Sequence, residues 1–146
     1  FKGLVGAGLK FPEPGGGILL TVRDSDKPEL LPIAEDFAAM GYELYATGKT
    51  ANYLNRHGVP TNAVRKMREP SPNLMDLIEG GTIQLIVNTP TKGRDAQRDG
   101  FQIRRKAVER SIPCLTSLDT AGAVVRSLKL GKHVASLGIV NLEVFG

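Results

Sequence analysis

Tyr45-Ala46-Thr47-Gly48-Lys49-Thr50-Ala51-Asn52 joins a short apolar strand to a helix, and that junction sets the grammar of the whole chain. Thr47, Gly48, Lys49 and Thr50 place two hydroxyls, a permissive backbone and an ammonium at one helix start. Such a start carries unbonded N–H groups and partial positive charge, so it favours an anion, most often a phosphate. A tight strand–helix turn with hydroxyl caps accounts for the same residues, and both readings stand at this point. Two nucleotide motifs are excluded. A Walker A loop needs a glycine five residues before its second one, where this chain has Glu43 and Gly41 is out of place. Gly6-Ala7-Gly8 cannot complete a dinucleotide fingerprint, because Phe11 occupies the third glycine position.

The same alternation extends to both sides. Ile18–Val22 reads as a compact strand. Pro28 opens a helix with an apolar stripe of Leu31, Ala34, Phe37, Ala38 and Met40, and Gly41 closes it. Residues 42–46 form a second strand, and a helix over 50–57 ends at Gly58. Residues 63–67 form a weak edge strand with basic outer residues. A short helix over 73–78 stops at Gly80-Gly81. Ile83–Val87 is the clearest buried strand. A polar loop over 88–100 leads to a helix over 101–109, with Phe101, Ile103, Ala107 and Val108 inward. Residues 112–116 make a fifth strand, and Asp119 or Thr120 caps a last helix running to Leu130. The tail over 134–145 has mixed apolar character and packs on the domain or on a neighbour.

Five strands alternating with helices predict an α/β fold, a three-layer α/β/α sandwich around a mostly parallel sheet. Ligands of such sheets sit outside the carboxyl ends of the strands. The segments there are Arg23–Lys27, Thr47–Thr50, Lys66–Glu69, Asn88–Arg94 and Ser117–Thr120. Four of them carry Lys or Arg and several carry Thr, which turns the balance toward a phosphorylated small molecule.

Bulk properties bound the remaining classes. With 146 residues, 41% hydrophobic and 23% charged, the chain fits one soluble domain with a substantial core. A net charge of +4 permits an anionic ligand without requiring nucleic acid. Five Phe, three Tyr and no Trp offer few rings on which bases can stack. Arg104-Arg105-Lys106 on a helix spreads over its outer surface, as a solvated face or a domain contact. The single Cys114 excludes a disulfide framework, lies in an apolar strand and fits a reducing cytoplasm. His57 and His133 have no ligand-spaced companions, so no metal site is expected. No run is long and apolar enough for a bilayer, and Phe1-Lys2-Gly3 opens no signal peptide. The expectation is a cytoplasmic piece of a longer chain, with residues 1–14 as a linker from a preceding domain and 15–146 as the domain itself.

Six motifs in order give the chain a family likeness: Leu20–Lys27, Tyr45–Thr50, Asn73–Ile78, Ile86–Arg94, Asp99–Arg105 and Pro113–Thr120. They resemble the methylglyoxal-synthase-like domain, and more closely the C-terminal allosteric domain of carbamoyl-phosphate synthase large chains. The likeness covers roughly residues 15–130. It implies a five-stranded parallel sheet of order 3-2-1-4-5 and a regulatory pocket, with UMP as inhibitor and IMP as activator in bacterial relatives. Matched by motif, Lys27 is implied as a phosphate contact, and Thr47, Gly48, Lys49 and Thr50 as the phosphate cradle. Lys66 is implied as a further basic contact, Asn88 and Thr89 as ribose or base contacts, and Arg94 as an arginine of the loop after the fourth strand. Taken singly, each has a plainer reading. Lys27 is a solvated loop charge, Asp24 or Asp26 an N-cap, Lys66 with Arg68 an edge guard, and Asn88 a turn cap. The likeness further implies the remaining domains of the large chain and a glutaminase small subunit as partners, and no nucleic acid or membrane. It implies no cofactor in this domain, ATP with Mg or Mn (and K as a further option) in the parent enzyme, and a role in pyrimidine and arginine biosynthesis.

The rival reading is a methylglyoxal synthase-type lyase acting on dihydroxyacetone phosphate, which needs a carboxylate base beside the substrate carbon. Where that family has Gly-Pro-x-Gly-Gly-Asp-Gln, this chain has Glu69-Pro70-Ser71-Pro72-Asn73-Leu74-Met75-Asp76. Where it has Trp-Asp-Pro, this chain has Asn88-Thr89-Pro90. Binding without turnover is therefore expected, with Glu69 or Asp76 as the stand-in base to test. A cyclohydrolase-type domain that closes the purine ring shares the fold, but matches the segments after the fourth and fifth strands less well.

Overall fold

In a computed structural model that describes residues 15–66, 73–89 and 93–136, the strand β1 (Gly17–Thr21) is the middle of five. Ile18, Leu19 and Leu20 have no exposed surface, as a central strand covered on both faces requires. The others are β2 (Glu43–Thr47), β3 (Asn62–Val64), β4 (Ile83–Asn88) and β5 (Cys114–Leu115), in the order β3-β2-β1-β4-β5 with every pairing parallel. The expected strand order and layering are thereby borne out. The edge strand expected over 63–67 is shorter, ending at Val64, with Arg65 and Lys66 outside it; Met67, the linker over 1–14 and the tail beyond 136 lie outside the described residues.

The helices are α1 (Lys27–Ala39), α2 (Gly48–Arg56), α3 (Leu74–Glu79), α4 (Arg94–Glu109) and α5 (Leu118–Ser136). Successive strand residues point to opposite faces. Ile18, Leu20, Leu44 and Val87 therefore pack with Leu30, Phe37, Leu54 and Val124 of α1, α2 and α5. Leu19, Ile83 and Ile86 pack with Leu74, Ile78, Ile103 and Ala107 of α3 and α4. These two apolar layers hold the sheet between them. Gly41 turns the chain from α1 into β2 with φ +94, a conformation that a side chain disfavours.

Three expectations need correction. The buried face of α1 runs through Leu30, Ile33, Ala34 and Phe37, while Leu31 and Ala38 are only partly buried. The i, i+3, i+4, i+7 spacing of the first set describes one face. Next, α4 begins at Arg94 and not at Phe101, so much of the expected loop is helical. Its inward face is Ile103 and Ala107, one turn apart; Phe101 and Val108 lie on the other side, 55% and 78% exposed. Finally, neither Asp119 nor Thr120 caps α5. Ser117 does, its hydroxyl accepting from the Thr120 N–H at 3.2 Å, and the helix continues past Leu130 to Ser136. No helix among the described residues is long and apolar enough to cross a membrane.

Candidate functional site

A cleft of about 300 Å³ opens at the carboxyl ends of β1, β2 and β4. Its floor is a cross-strand pair. Thr21 and Asn88 are register partners, and the Thr21 hydroxyl donates to Asn88 Oδ1 at 2.8 Å. That bond orients the amide and turns its NH2 group the other way. Asn88 is 6% exposed, and among the described residues its Nδ2 has no hydrogen-bond partner. Helix α4 passes this point at Gly100, where an added Cβ would stand 3.4 Å from Asn88 Nδ2 and 3.3 Å from an Arg104 guanidinium nitrogen. A buried donor with nothing to bond costs about 1–3 kcal/mol, which an acceptor entering the cleft would recover.

The second wall is the start of α2. Thr47 stands at the N-cap with extended backbone (φ −69, ψ 161), yet its side chain makes no capping bond. The first N–H groups of this nine-residue helix are thus not satisfied by the residue placed to do so. This decides against the reading of Thr47 as a cap. Thr50, one turn on, is 2% exposed, and Lys49 beside it is exposed; both line the cleft.

Charge collects at the same place. The cleft is lined by Arg23, Lys27, Lys49 and Lys66 against Asp24 and Asp99. Lys27 is 7% exposed, which rules out a solvated loop charge. A buried ammonium needs a counter-charge, and Lys27 Nζ pairs with the Asp24 carboxylate. Lys27's hydrogen bond and charge hold the Asp24 carboxyl below the usual carboxylate range, with smaller contributions from the fields of Lys49 and Lys66. The next acid, Asp26, is engaged by Arg23 at 2.8 Å and makes no side-chain cap bond. Asp26 thus occupies the N-cap position of α1 without a side-chain cap bond, and Asp24 is not at that position.

Of the residues singled out from sequence, Lys27, Thr47, Lys49, Thr50, Lys66 and Asn88 line this one cleft. Gly48 lies between two of them, and a Cβ there would meet nothing within 4 Å, so no close approach requires a glycine. Thr89 and Arg94 are not lining residues. Thr89 is buried; its hydroxyl accepts from the Arg23 N–H at 3.0 Å and its own N–H donates to Thr21 O at 3.2 Å. It fastens the loops after β1 and β4 to each other. Arg94 is the exposed first residue of α4. Sequence reasoning missed Thr21, Asp99, Gly100 and Ile103. The last three follow from starting α4 too late, and the i, i+4 spacing of Asp99 and Ile103 was the available signal.

The two stand-in bases fare differently. Asp76 is exposed and bonded to the Asn73 N–H at 2.8 Å in a capping box at the start of α3, away from the cleft lining. Glu69 lies outside the described residues. Among the described residues no group of three or more His, Cys, Asp or Glu could hold a metal ion.

Comparison with known proteins adds a lineage to this geometry. A family model described as MGS-like domain matches residues 29–116. The carbamoyl phosphate synthase large chain of Clostridium botulinum (strain Langeland) is 47% identical over 125 residues, 86% of this chain and 12% of that one. That of Clostridium perfringens (strain SM101) is 46% identical over 142 residues, 97% of this chain and 13% of that one. The large chain's C-terminal section in Methanopyrus kandleri is 44% identical over 133 residues, 91% of this chain and 24% of that one. This chain thus spans a small part of the length of the curated relatives it matches. Among solved structures, methylglyoxal synthase from Elizabethkingia anophelis superposes with a TM-score of 0.65 at 21% identity, covering 79% of each chain. ForH does so with a TM-score of 0.58 at 20% identity, over 80% of this chain and 79% of that one. Both likenesses concern the fold.

Proposed function

This chain belongs to the MGS-like domain family, and on that premise we propose that it is the nucleotide-binding regulatory domain of a carbamoyl phosphate synthase large chain. Its ligands are UMP and IMP, held by their phosphate group. The observation that carries this reading is the unpartnered, buried Nδ2 of Asn88, set in a cleft with four cations and an uncapped helix start. A phosphate dianion supplies negative charge among these cations and acceptor oxygens for the helix start, and the rest of the nucleotide supplies an acceptor for Asn88. A cleft of about 300 Å³ also leaves room for a sugar beyond the phosphate.

The residues divide the task. Lys27 and Lys49 meet the phosphate with charge, Thr47 and Thr50 with hydroxyls, and the start of α2 with N–H groups. Asn88 donates to an acceptor deeper in the cleft, and Lys66 adds a basic contact from beyond β3. UMP and IMP compete because they share the phosphate. A nucleotide that favours one arrangement of the domain shifts the attached synthase toward it, which is regulation by linkage. The partners are the other domains of the large chain and its glutaminase small subunit. ATP and its metal ions act there and not in this cleft. The setting is cytoplasmic, and the output is carbamoyl phosphate for pyrimidine and arginine synthesis.

Titration calorimetry with UMP, IMP and dihydroxyacetone phosphate tests the reading, with methylglyoxal assayed in the same samples. Both nucleotides are expected to bind and to exclude each other, with Lys27→Ala weakening each by at least about tenfold, as loss of a charge-assisted hydrogen bond does. No methylglyoxal is expected, because this chain has Asn88-Thr89-Pro90 where the lyase family has Trp-Asp-Pro. Methylglyoxal formation abolished by Asp99→Asn would make the cleft an active site and sink the proposal.

A further inference from the structure

We propose that Asp24 is the cleft's built-in counter-anion, a carboxylate that holds the buried Lys27 ammonium until a ligand's phosphate replaces it, and so limits which anions the cleft accepts. This rests on the phosphate-site reading given above.

The geometry of the pair is lopsided. The Lys27 side chain is 9% exposed, whereas the Asp24 side chain is 76% exposed. Lys27 is anchored in the first turn of α1 and cannot regain water without disturbing the helix. Asp24 sits in a three-residue 3-10 turn, Asp24–Asp26, which contributes no buried residue to the core. The cation is therefore fixed and its partner is free to withdraw. Burying an unpaired ammonium is costly, so the empty cleft needs an anion, and Asp24 is the carboxylate placed to provide it. Both residues line the cleft, so an entering phosphate meets the Asp24 charge at the same ammonium it seeks.

Two like charges cannot share one small site without mutual repulsion. A dianionic phosphate also engages Thr47, Thr50 and the start of α2, and it outcompetes the carboxylate. An anion with fewer acceptors does not. Asp24 thus sets a threshold: it keeps adventitious carboxylates and small inorganic anions off Lys27. Asp26 has no part in this, being tied to Arg23.

The test compares the wild-type chain with Asp24→Asn and with Glu29→Gln. Glu29 is an exposed acid in the first turn of α1 outside the cleft, so its loss reports the long-range field alone. UMP, IMP and inorganic phosphate are titrated at low and high salt. Asp24→Asn is expected to bind all three about fivefold more tightly, as loss of one exposed ion-pair partner allows. The gain is expected to be proportionally larger for acetate, titrated alongside as the anion with fewer acceptors, and binding to fall more steeply with salt, because the cleft gains one net positive charge. Glu29→Gln is expected to bind like the wild type. Equal affinity of Asp24→Asn and wild type would overturn the counter-anion role and leave the phosphate site standing. Weaker binding by Asp24→Asn would overturn it too, by making Asp24 a positioning residue for Lys27. So would a Glu29→Gln gain matching that of Asp24→Asn. Absence of binding by every form would remove the phosphate-site reading and this inference with it.

Discussion

At the scale of single residues, one polar group holds energy that the fold alone does not release. Asn88 keeps one bond, from Thr21, and leaves its NH2 unanswered. Asn88→Asp preserves the acceptor toward Thr21 but replaces the donor with a second oxygen, and puts negative charge where an anion is to sit. Nucleotide affinity is expected to fall by at least about tenfold, the loss of a hydrogen bond to a charged group plus repulsion. Circular dichroism of the variant should stay that of the wild type; unchanged affinity by calorimetry would remove Asn88 from the site. Cys114 illustrates the opposite case, a group silenced by its surroundings. Burial pushes its thiol up to about 11, against the opposing charge of Arg104. Below roughly pH 10 the thiolate is scarce, so the native protein should react slowly with a disulfide reagent at pH 8 and quickly once unfolded. Fast native reaction at pH 8 would show that the thiol is neither buried nor neutral.

The helices show where sequence reading succeeded and where it failed. Thr47–Thr50 and Lys27 were legible as residues that follow strand ends, where the cleft of a parallel sheet opens, although taken singly a capped turn and a solvated charge fitted them as well. The strands were legible as apolar runs in which Ile83–Val87 admits little else. The first half of α4 was not, because Arg94–Gly100 presents almost no apolar residue to a periodicity argument; among the described side chains, Ile103 and Ala107 pack it on the core. That half nevertheless carries Asp99 and Gly100 to the cleft. Gly100→Ala is therefore informative. Its Cβ would press on Asn88 Nδ2 at 3.4 Å and on Arg104 at 3.3 Å. Alanine favours the helix by about 1 kcal/mol over glycine, while the crowding at Asn88 opposes ligand entry. Unchanged or raised melting temperature with weakened nucleotide binding is expected; weakened stability with unaltered binding would refute the close approach. Lys106 ties α4 to α3, bonding Glu79 at 2.8 Å as well as its own neighbour Glu109 at 3.1 Å. The Glu79 hydrogen bond, followed by that of Glu109, holds the ammonium above its ordinary range. A raised value means the contribution is complete below the unfolded lysine's value and fades as pH rises through the folded one. A Lys106→Met chain should consequently lose its stability difference from wild type only in strong alkali, which thermal melts between pH 8 and 12 would reveal.

Across the whole molecule, the cleft lies where the two apolar layers meet at one end of the sheet. Thr47 ends β2 and Thr50 belongs to α2, packed on the layer of Leu20 and Leu44; Asp99 and Ile103 belong to α4, packed on the layer of Leu19 and Ile86. A bound nucleotide bridges helices that pack in the two separate apolar layers of the sheet. Such a ligand stabilises the folded state by mass action, about 2.7 kcal/mol at a hundredfold excess over the dissociation constant. In a domain of this length that raises the melting temperature by something on the order of 8 °C. Where the protection falls is more telling than its size. If the nucleotide is held by α2, β4 and α4 together, amide exchange should slow in residues 48–51, 88–89 and 99–103 with one ligand dependence. Slowing confined to 48–51 would mean that an anion merely rests on a helix start, and the bridging role of Asn88 and Gly100 would be lost. Concerted slowing would identify the rigid unit through which an effector in this cleft can bias whatever is attached to the sheet, since a local contact becomes a global signal only when it joins elements that can otherwise move apart.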